Sequence, residues 1–214
     1  MSKKKMGLLS VVMMLILVLA TACGGKDKEV SLGTTASGSY TNDYFGVSLS
    51  FPKEWKFEDA VGMNDLMEAG KEVVTGDDEK KKAQMELGQA KTLNLLMASK
   101  FPLGGTEAGP SILIISEKVS LLQGVKSGED YLESSKKLMT ETEIPYEFKD
   151  ITTAKIGGKD MHTMQTTINA GEIVLTQNYY STIIDGYAFN IILTSVDDAS
   201  KAETDKILKS ITFK

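Results

Sequence analysis

Residues 146–196 read YEFKDITTAKIGGKDMHTMQTTINAGEIVLTQNYYSTIIDGYAFNIILTSV. Four strand-like stretches lie in this run, Tyr146 to Ile156, Lys159 to Ile168, Glu172 to Ile184 and Tyr187 to Val196. They are separated by Gly157-Gly158, Ala170-Gly171 and Asp185-Gly186. Gly-Gly and Asp-Gly are hairpin turn chemistry, because the tight turns that match strand twist need positive φ. Such close spacing leaves no length for crossover helices, so the segment must be an antiparallel meander.

Working outward, Asp197-Asp198 caps a last helix whose buried stripe is Ile207, Leu208 and Ile211. On the other side, Ser127-Gly128-Glu129-Asp130 is a capping box, followed at helical spacing by Tyr131, Ser135, Leu138 and Met139 on one face. Leu93 to Ala98 and Ile112 to Ile115 are short apolar runs that read as central strands flanking a loop from Phe101 to Pro110. Between Val61 and Ala90 the pattern turns helical and polar, with Asn64 a candidate cap for one helix and Thr75-Gly76-Asp77-Asp78 for a second. The run Asp77 to Lys82 sums to zero and pairs Asp77 with Lys81 and Asp78 with Lys82, the pattern of a solvated helix face. Val47, Leu49 and Phe51 alternate with serines, so they face a core until Pro52 stops the strand. Strands and helices are segregated, which predicts an α+β domain over residues 40–214, without internal repeat.

The amino terminus is of another kind. Lys3, Lys4 and Lys5 precede an apolar run from Leu8 to Ala20, which has signal-peptide length and falls short of the roughly 20 residues of a spanning helix. Leu19-Ala20-Thr21-Ala22-Cys23 resembles the lipobox of bacterial lipoproteins, in which the cysteine sulfur receives a diacylglyceryl group and becomes the first mature residue. Residues 1–22 are thus expected to be a lipoprotein signal peptide, Cys23 the lipidation site and residues 23–39, which are Gly-rich and polar, a flexible tether. Its 17 residues would span roughly 20–25 Å as a coil. The expected location is the extracytoplasmic face of the cell membrane, with the lipid on Cys23 as the membrane partner.

Composition narrows the chemistry. Cleavage before Cys23 leaves 192 of 214 residues and moves the net charge from −5 to −8, with 21 Lys against 29 Asp plus Glu and no Arg. An acidic chain without the guanidinium fork is a poor partner for nucleic acid. One Cys and one His exclude disulfide staples and multi-histidine or Cys-rich metal centres within a single chain. His162, the only imidazole, sits in a strand-like stretch, and Ser134 to Lys137 matches Ser-x-x-Lys without the partner motifs that pattern needs. The Gly104–Gly109 run has Pro110 where a phosphate loop requires Lys. The seven Met of the mature chain read as packing. Trp55, the only Trp, reads either as a core anchor or as a stacking surface for a ring. No catalytic residues, cofactor or metal are expected.

The stretch Tyr44 to Trp55, YFGVSLSFPKEW, resembles the opening of PsbP-like domains, which begin with a Gly-led strand ending in aromatic-Pro-x-x-Trp. Ile156 to Lys159 before the long hairpin with Tyr179-Tyr180, and the ending Leu208 to Phe213, are similar to the same family. The resemblance covers residues 40–214 and implies an antiparallel sheet flanked by helices, an α/β/α sandwich. It implies no particular activity, because function lives in sites rather than in folds.

The functional expectation is a non-catalytic binding or accessory domain tethered to the membrane and engaging another envelope protein; whether it also takes a small molecule stays open. Phe101, Pro102 and Leu103, beside the glycines of a loop longer than a minimal turn, and Trp55 are the candidate binding residues. The competing reading of the loop is a lid, with Phe101 and Leu103 folded back over the sheet edge. A solute-binding lipoprotein and an envelope hydrolase using carboxylates are the alternatives.

Overall fold

The computed structural model describes residues 29–75, 79, 83, 86, 89–103, 107–120, 124–142, 144–171 and 173–214. The signal segment, Cys23 and the Asp77–Lys82 pairs therefore lie outside the described residues, as does most of the Thr75–Asp78 box. Elements run in the order β1 (Thr34–Ala36), β2 (Ser39–Asn42), β3 (Val47–Ser50), β4 (Lys56–Asp59), α1 (Ala60–Thr75), β5 (Thr92–Ser99), β6 (Ser111–Lys118), α2 (Gly128–Thr140), β7 (Tyr146–Phe148), β8 (Thr152–Ile156), β9 (Lys159–Ala170), β10 (Ile173–Ile184), β11 (Tyr187–Ser195), α3 (Asp198–Ser210) and β12 (Thr212–Phe213). The architecture is α+β with two antiparallel sheets, a large one ordered β4-β5-β6-β11-β10-β9-β7, with β8 also on β9, and a small one ordered β1-β2-β3-β12.

The meander forms through its turns. Gly157 and Gly158 have φ of 56° and 89°, and Asp185 and Gly186 have 48° and 79°, so β8–β9 and β10–β11 close with Ile156↔Lys159 and Ile184↔Tyr187 as the last pairs. Both turns thus have positive φ at their two central positions, the geometry that follows strand twist. The stretch read as one strand from Tyr146 to Ile156 is two. Phe148 pairs with Thr166 and Thr152 with Thr163, so one extra residue is accommodated between them, a bulge bridged by the Lys149 amide donating to the Gln165 carbonyl at 2.9 Å.

Residues directly opposite in antiparallel strands share a face. Phe189, Ile191 and Leu193 of β11, Ile112 and Ile114 of β6 and Leu96 and Ala98 of β5 make one face of the large sheet, packed against Tyr40, Val47 and Leu49 of the small sheet and Ile207 of α3, followed by Ile211. The opposite face carries Met164 and Tyr179, packed on Leu132 of α2, and Asn94, whose amide donates to Asn64 of α1 at 2.7 Å. The layers are therefore α3 with the small sheet, the large sheet, then α1 and α2.

Several expectations are corrected. The chain folds before residue 40: β1 pairs with β2, the buried Tyr40 hydroxyl donates to the Leu32 carbonyl at 2.9 Å, and the tether reading fails from about Ser31 onward. Burial pushes the Tyr40 hydroxyl up to about 12. α1 is capped by Asp59, whose carboxylate accepts from Val61 and Gly62 at 3.0 and 3.1 Å; Asn64 is inside the helix. On α2 the Ser127/Asp130 capping box is present, but Leu132 is the fully buried residue and Leu138 is 66% exposed. Met139 of the stripe read in the sequence does face inward, packed on the same cluster, but the face centres on Leu132, the side chain that meets Met164 and Tyr179, and leaves Leu138 outside it. α3 carries its own capping box between Asp197 and Ser200.

Candidate functional site

Pro52 ends the approach of β3 and turns the chain, so that the Trp55 amide donates back to the Pro52 carbonyl at 3.0 Å. The turn drives Trp55 into the main core beside Phe51, where it is 3% exposed, and the core-anchor reading holds. Its Nε1 is buried without an acceptor among the described residues. The chain then enters β4, an outer strand of the large sheet, and passes directly into α1. At the same end of the sheet, where Lys56 pairs with Ser99, the β5–β6 loop is closed by the Lys100 amide donating to the Pro110 carbonyl at 3.1 Å.

These two segments border one cleft of about 740 Å³, lined by Lys53, Glu54, Trp55, Lys56, Phe57, Glu58, Leu66, Pro102 and Leu103. Phe57 and Leu66 are 36% and 41% exposed, so the apolar part of the lining is open to solvent. Two lysines and two glutamates cancel along the rim, which removes any pull on a polyanion. The structure thus brings together three of the sequence-predicted residues, Trp55, Pro102 and Leu103. Phe101 is elsewhere: its ring covers Gly109, where an added Cβ would stand 2.5 Å from the ring. Phe101 thus folds back on its own loop, and Leu103 faces the cleft. Gly104 to Thr106 lie outside the described residues. Phe57 and Leu66 went unread, since an isolated apolar side chain in a polar stretch gives no period; only the edge position of β4 reveals them.

A second concavity, of about 570 Å³, lies at the β7–β8 bulge and is lined by Phe148, Lys149, Asp150, Thr152, Thr163, Gln165 and Asn178. Its two amides are already committed to each other, Gln165 Nε2 donating to Asn178 Oδ1 at 2.8 Å.

His162 lies on β9 with a 28% exposed side chain, its Nε2 3.7 Å from Glu129 Oε2. Its register partner is Ser181, whose Oγ is buried without a partner among the described residues. Serine, histidine and glutamate in sequence suggest a nucleophile, base and acid. Ser181, however, is fully buried, with Gly128 of α2 packed so closely that a Cβ there would collide with the Ser181 carbonyl, so no substrate reaches the hydroxyl. Asp130 and Asp197 are both held below the usual carboxylate range, Asp130 first by the backbone amide of Lys126 and Asp197 first by that of Ser200. That direction is opposite to the one a general acid needs. Among the described residues no group of three His, Cys, Asp or Glu side chains is placed to hold a metal ion, and no helix is long and apolar enough to cross a membrane.

No protein-family model and no curated protein matches this sequence. Among solved structures, the chain is similar to the solution structure of cyanobacterial PsbP (CyanoP) from Synechocystis, at 13% identity and a TM-score of 0.48, over 91% of this chain and 99% of that one. A Bacteroides thetaiotaomicron protein is similar at 12% identity and a TM-score of 0.40, over 79% of this chain and 45% of that one. LpqN, involved in cell envelope biogenesis of Mycobacterium tuberculosis, is similar at 11% identity and a TM-score of 0.42, over 78% of this chain and 82% of that one. At these identities the likeness is one of fold.

Proposed function

We propose that the chain is a membrane-tethered, extracytoplasmic accessory domain that engages another envelope protein through the cleft beside Trp55 and performs no chemistry of its own. The observation that carries the reading is the cleft lining. Phe57, Leu66 and Pro102 offer exposed apolar surface at a sheet edge, with the half-buried Leu103 beside them, framed by Lys53, Glu54, Lys56 and Glu58. An apolar centre with a polar rim of balanced charge suits a protein segment. The tether rests on the lipobox ending at Cys23 and the apolar run before it.

The test has two parts. Cys23→Ser is expected to abolish lipid attachment and release the chain from the membrane fraction; unchanged retention with no loss of lipid mass refutes the tether. Leu66→Ser with Leu103→Ser is expected to leave the melting temperature within a few degrees of wild type while abolishing crosslinking to an envelope protein in intact cells. Undiminished crosslinking in that folded variant places the binding surface elsewhere.

A further inference from the structure

The outer edge of β4 has no strand partner among the described residues. Such an edge presents unpaired N–H and C=O groups and is normally blunted by charge. Lys56 and Glu58 supply charge on one face, yet Phe57 between them is exposed on the other. Phe57 packs its ring on Phe51 of the main core, centroids 6.0 Å apart, and leaves 36% of its surface open at the centre of the edge.

The order Lys56-Phe57-Glu58 is also self-complementary. Two antiparallel copies with the two-fold axis through Phe57 place Lys56 opposite Glu58 of the second copy, Glu58 opposite its Lys56, and the two Phe57 rings opposite each other. Every neighbouring register is worse. An axis on Glu58 faces two carboxylates and sets Phe57 against Asp59; an axis on Lys56 faces two ammonium groups and sets Glu54 against Glu58; an axis between Phe57 and Glu58 pairs Lys56 with Asp59 but separates the rings and puts each opposite a carboxylate; an axis between Lys56 and Phe57 separates the rings and sets Glu54 against Asp59. Like charges directly opposite destabilise a strand pair, whereas opposite charges and aromatic pairs stabilise it. Among the described residues neither Lys56 nor Glu58 is engaged in an ion pair within the chain.

We propose that β4 is a homodimerisation edge: a second copy of this chain adds its own β4 antiparallel across a two-fold axis at Phe57, joining the two large sheets into one. This isologous arrangement closes on itself after two copies, so it gives dimers and not fibres. It goes beyond the accessory-domain reading, since it is read from the strand edge alone. Because Phe57 also lines the cleft, the axis sets the two clefts side by side.

The experiment uses the full-length chain, carrying Phe57→Cys, in bacterial cells treated with a mild oxidant. The wild type, with Cys23 its only cysteine, and Leu138→Cys, exposed on the far helix α2, set the background. The expected result is a disulfide dimer of Phe57→Cys about tenfold above both. Adding Lys56→Glu or Glu58→Lys changes two symmetric pairs from attraction to repulsion, and each is expected to lower the dimer by up to about tenfold. The double reversal, Lys56→Glu with Glu58→Lys, restores it, and so does coexpression of the two single reversals, which pair with each other. Melting curves of the variants confirm folding. A Phe57→Cys dimer no stronger than background overturns the proposal. So does a dimer indifferent to the charge reversals. Neither result touches the crosslinking of an envelope protein at the cleft, which stands or falls by its own test.

Discussion

Trp55 offers a test that separates two contributions at one side chain. It is 3% exposed in the main core, and replacing it by Ala removes the whole ring system, an effect of about 3–5 kcal/mol when the site cannot collapse. For a chain of this size 1 kcal/mol moves the melting temperature by about 2–4 °C, so Trp55→Ala should melt roughly 6–20 °C lower. Trp55→Phe is different. It keeps an aromatic plug and deletes the buried Nε1–H that has no acceptor, a group whose unpaired burial costs about 1–3 kcal/mol. The lost packing and the relieved donor oppose each other and are of similar size. Trp55→Phe is therefore expected within about 1 kcal/mol of wild type. Urea unfolding followed by far-ultraviolet circular dichroism measures all three chains, since the variants lose the only indole. Equal destabilisation by Phe and Ala would show that the indole N–H is satisfied, and a wild-type curve for Trp55→Ala would remove Trp55 from the core.

Four further outcomes are expected. Ser127→Ala removes one half of the α2 capping box and should cost about 1 kcal/mol. The lowered pKa of Asp130 means that the ionised cap stabilises the fold above the ordinary carboxylate pKa and that this stability is lost as pH falls through the lower folded value; Asp130→Asn should flatten the acid limb of a stability–pH profile, and an unchanged limb contradicts the cap. Gly157→Ala should destabilise more than Gly158→Ala in thermal melts, because both have positive φ but only Gly157 lies against the Ile211 carbonyl, 2.6 Å from an added Cβ. His162→Ala should leave folding and partner crosslinking intact, and loss of activity in a folded variant would revive the hydrolase reading.

What could be read from the sequence was what local chemistry specifies. Gly157-Gly158 and Asp185-Gly186 announce their hairpins because positive φ is a property of those residues, and the α2 and α3 caps are readable because both capping partners lie within three positions. The small sheet was legible only at β3. β1, β2 and β12 are two to four residues long and exist through distant pairing such as Thr212↔Ser48, which no window of sequence contains. Asp59 was missed as the cap of α1 because it is also the last residue of a strand. The cleft was half visible: Trp55, Pro102 and Leu103 stand out as an aromatic and a loop cluster, whereas Phe57 and Leu66 acquire meaning only once β4 is known to be an edge. Phe101 misled because a ring in a glycine-rich loop can as well cover a glycine, and here it covers Gly109.

The claim that this domain holds an envelope protein in the Trp55 cleft is tested most directly by a photo-crosslinking amino acid placed at Leu103 in intact cells, with the same residue at Leu138 as the remote control. The account predicts one envelope-protein adduct at Leu103 that is absent at Leu138 and disappears when Leu66→Asp is added to the folded chain. Adducts of equal yield at both positions, or an adduct at Leu103 that survives Leu66→Asp, would contradict it.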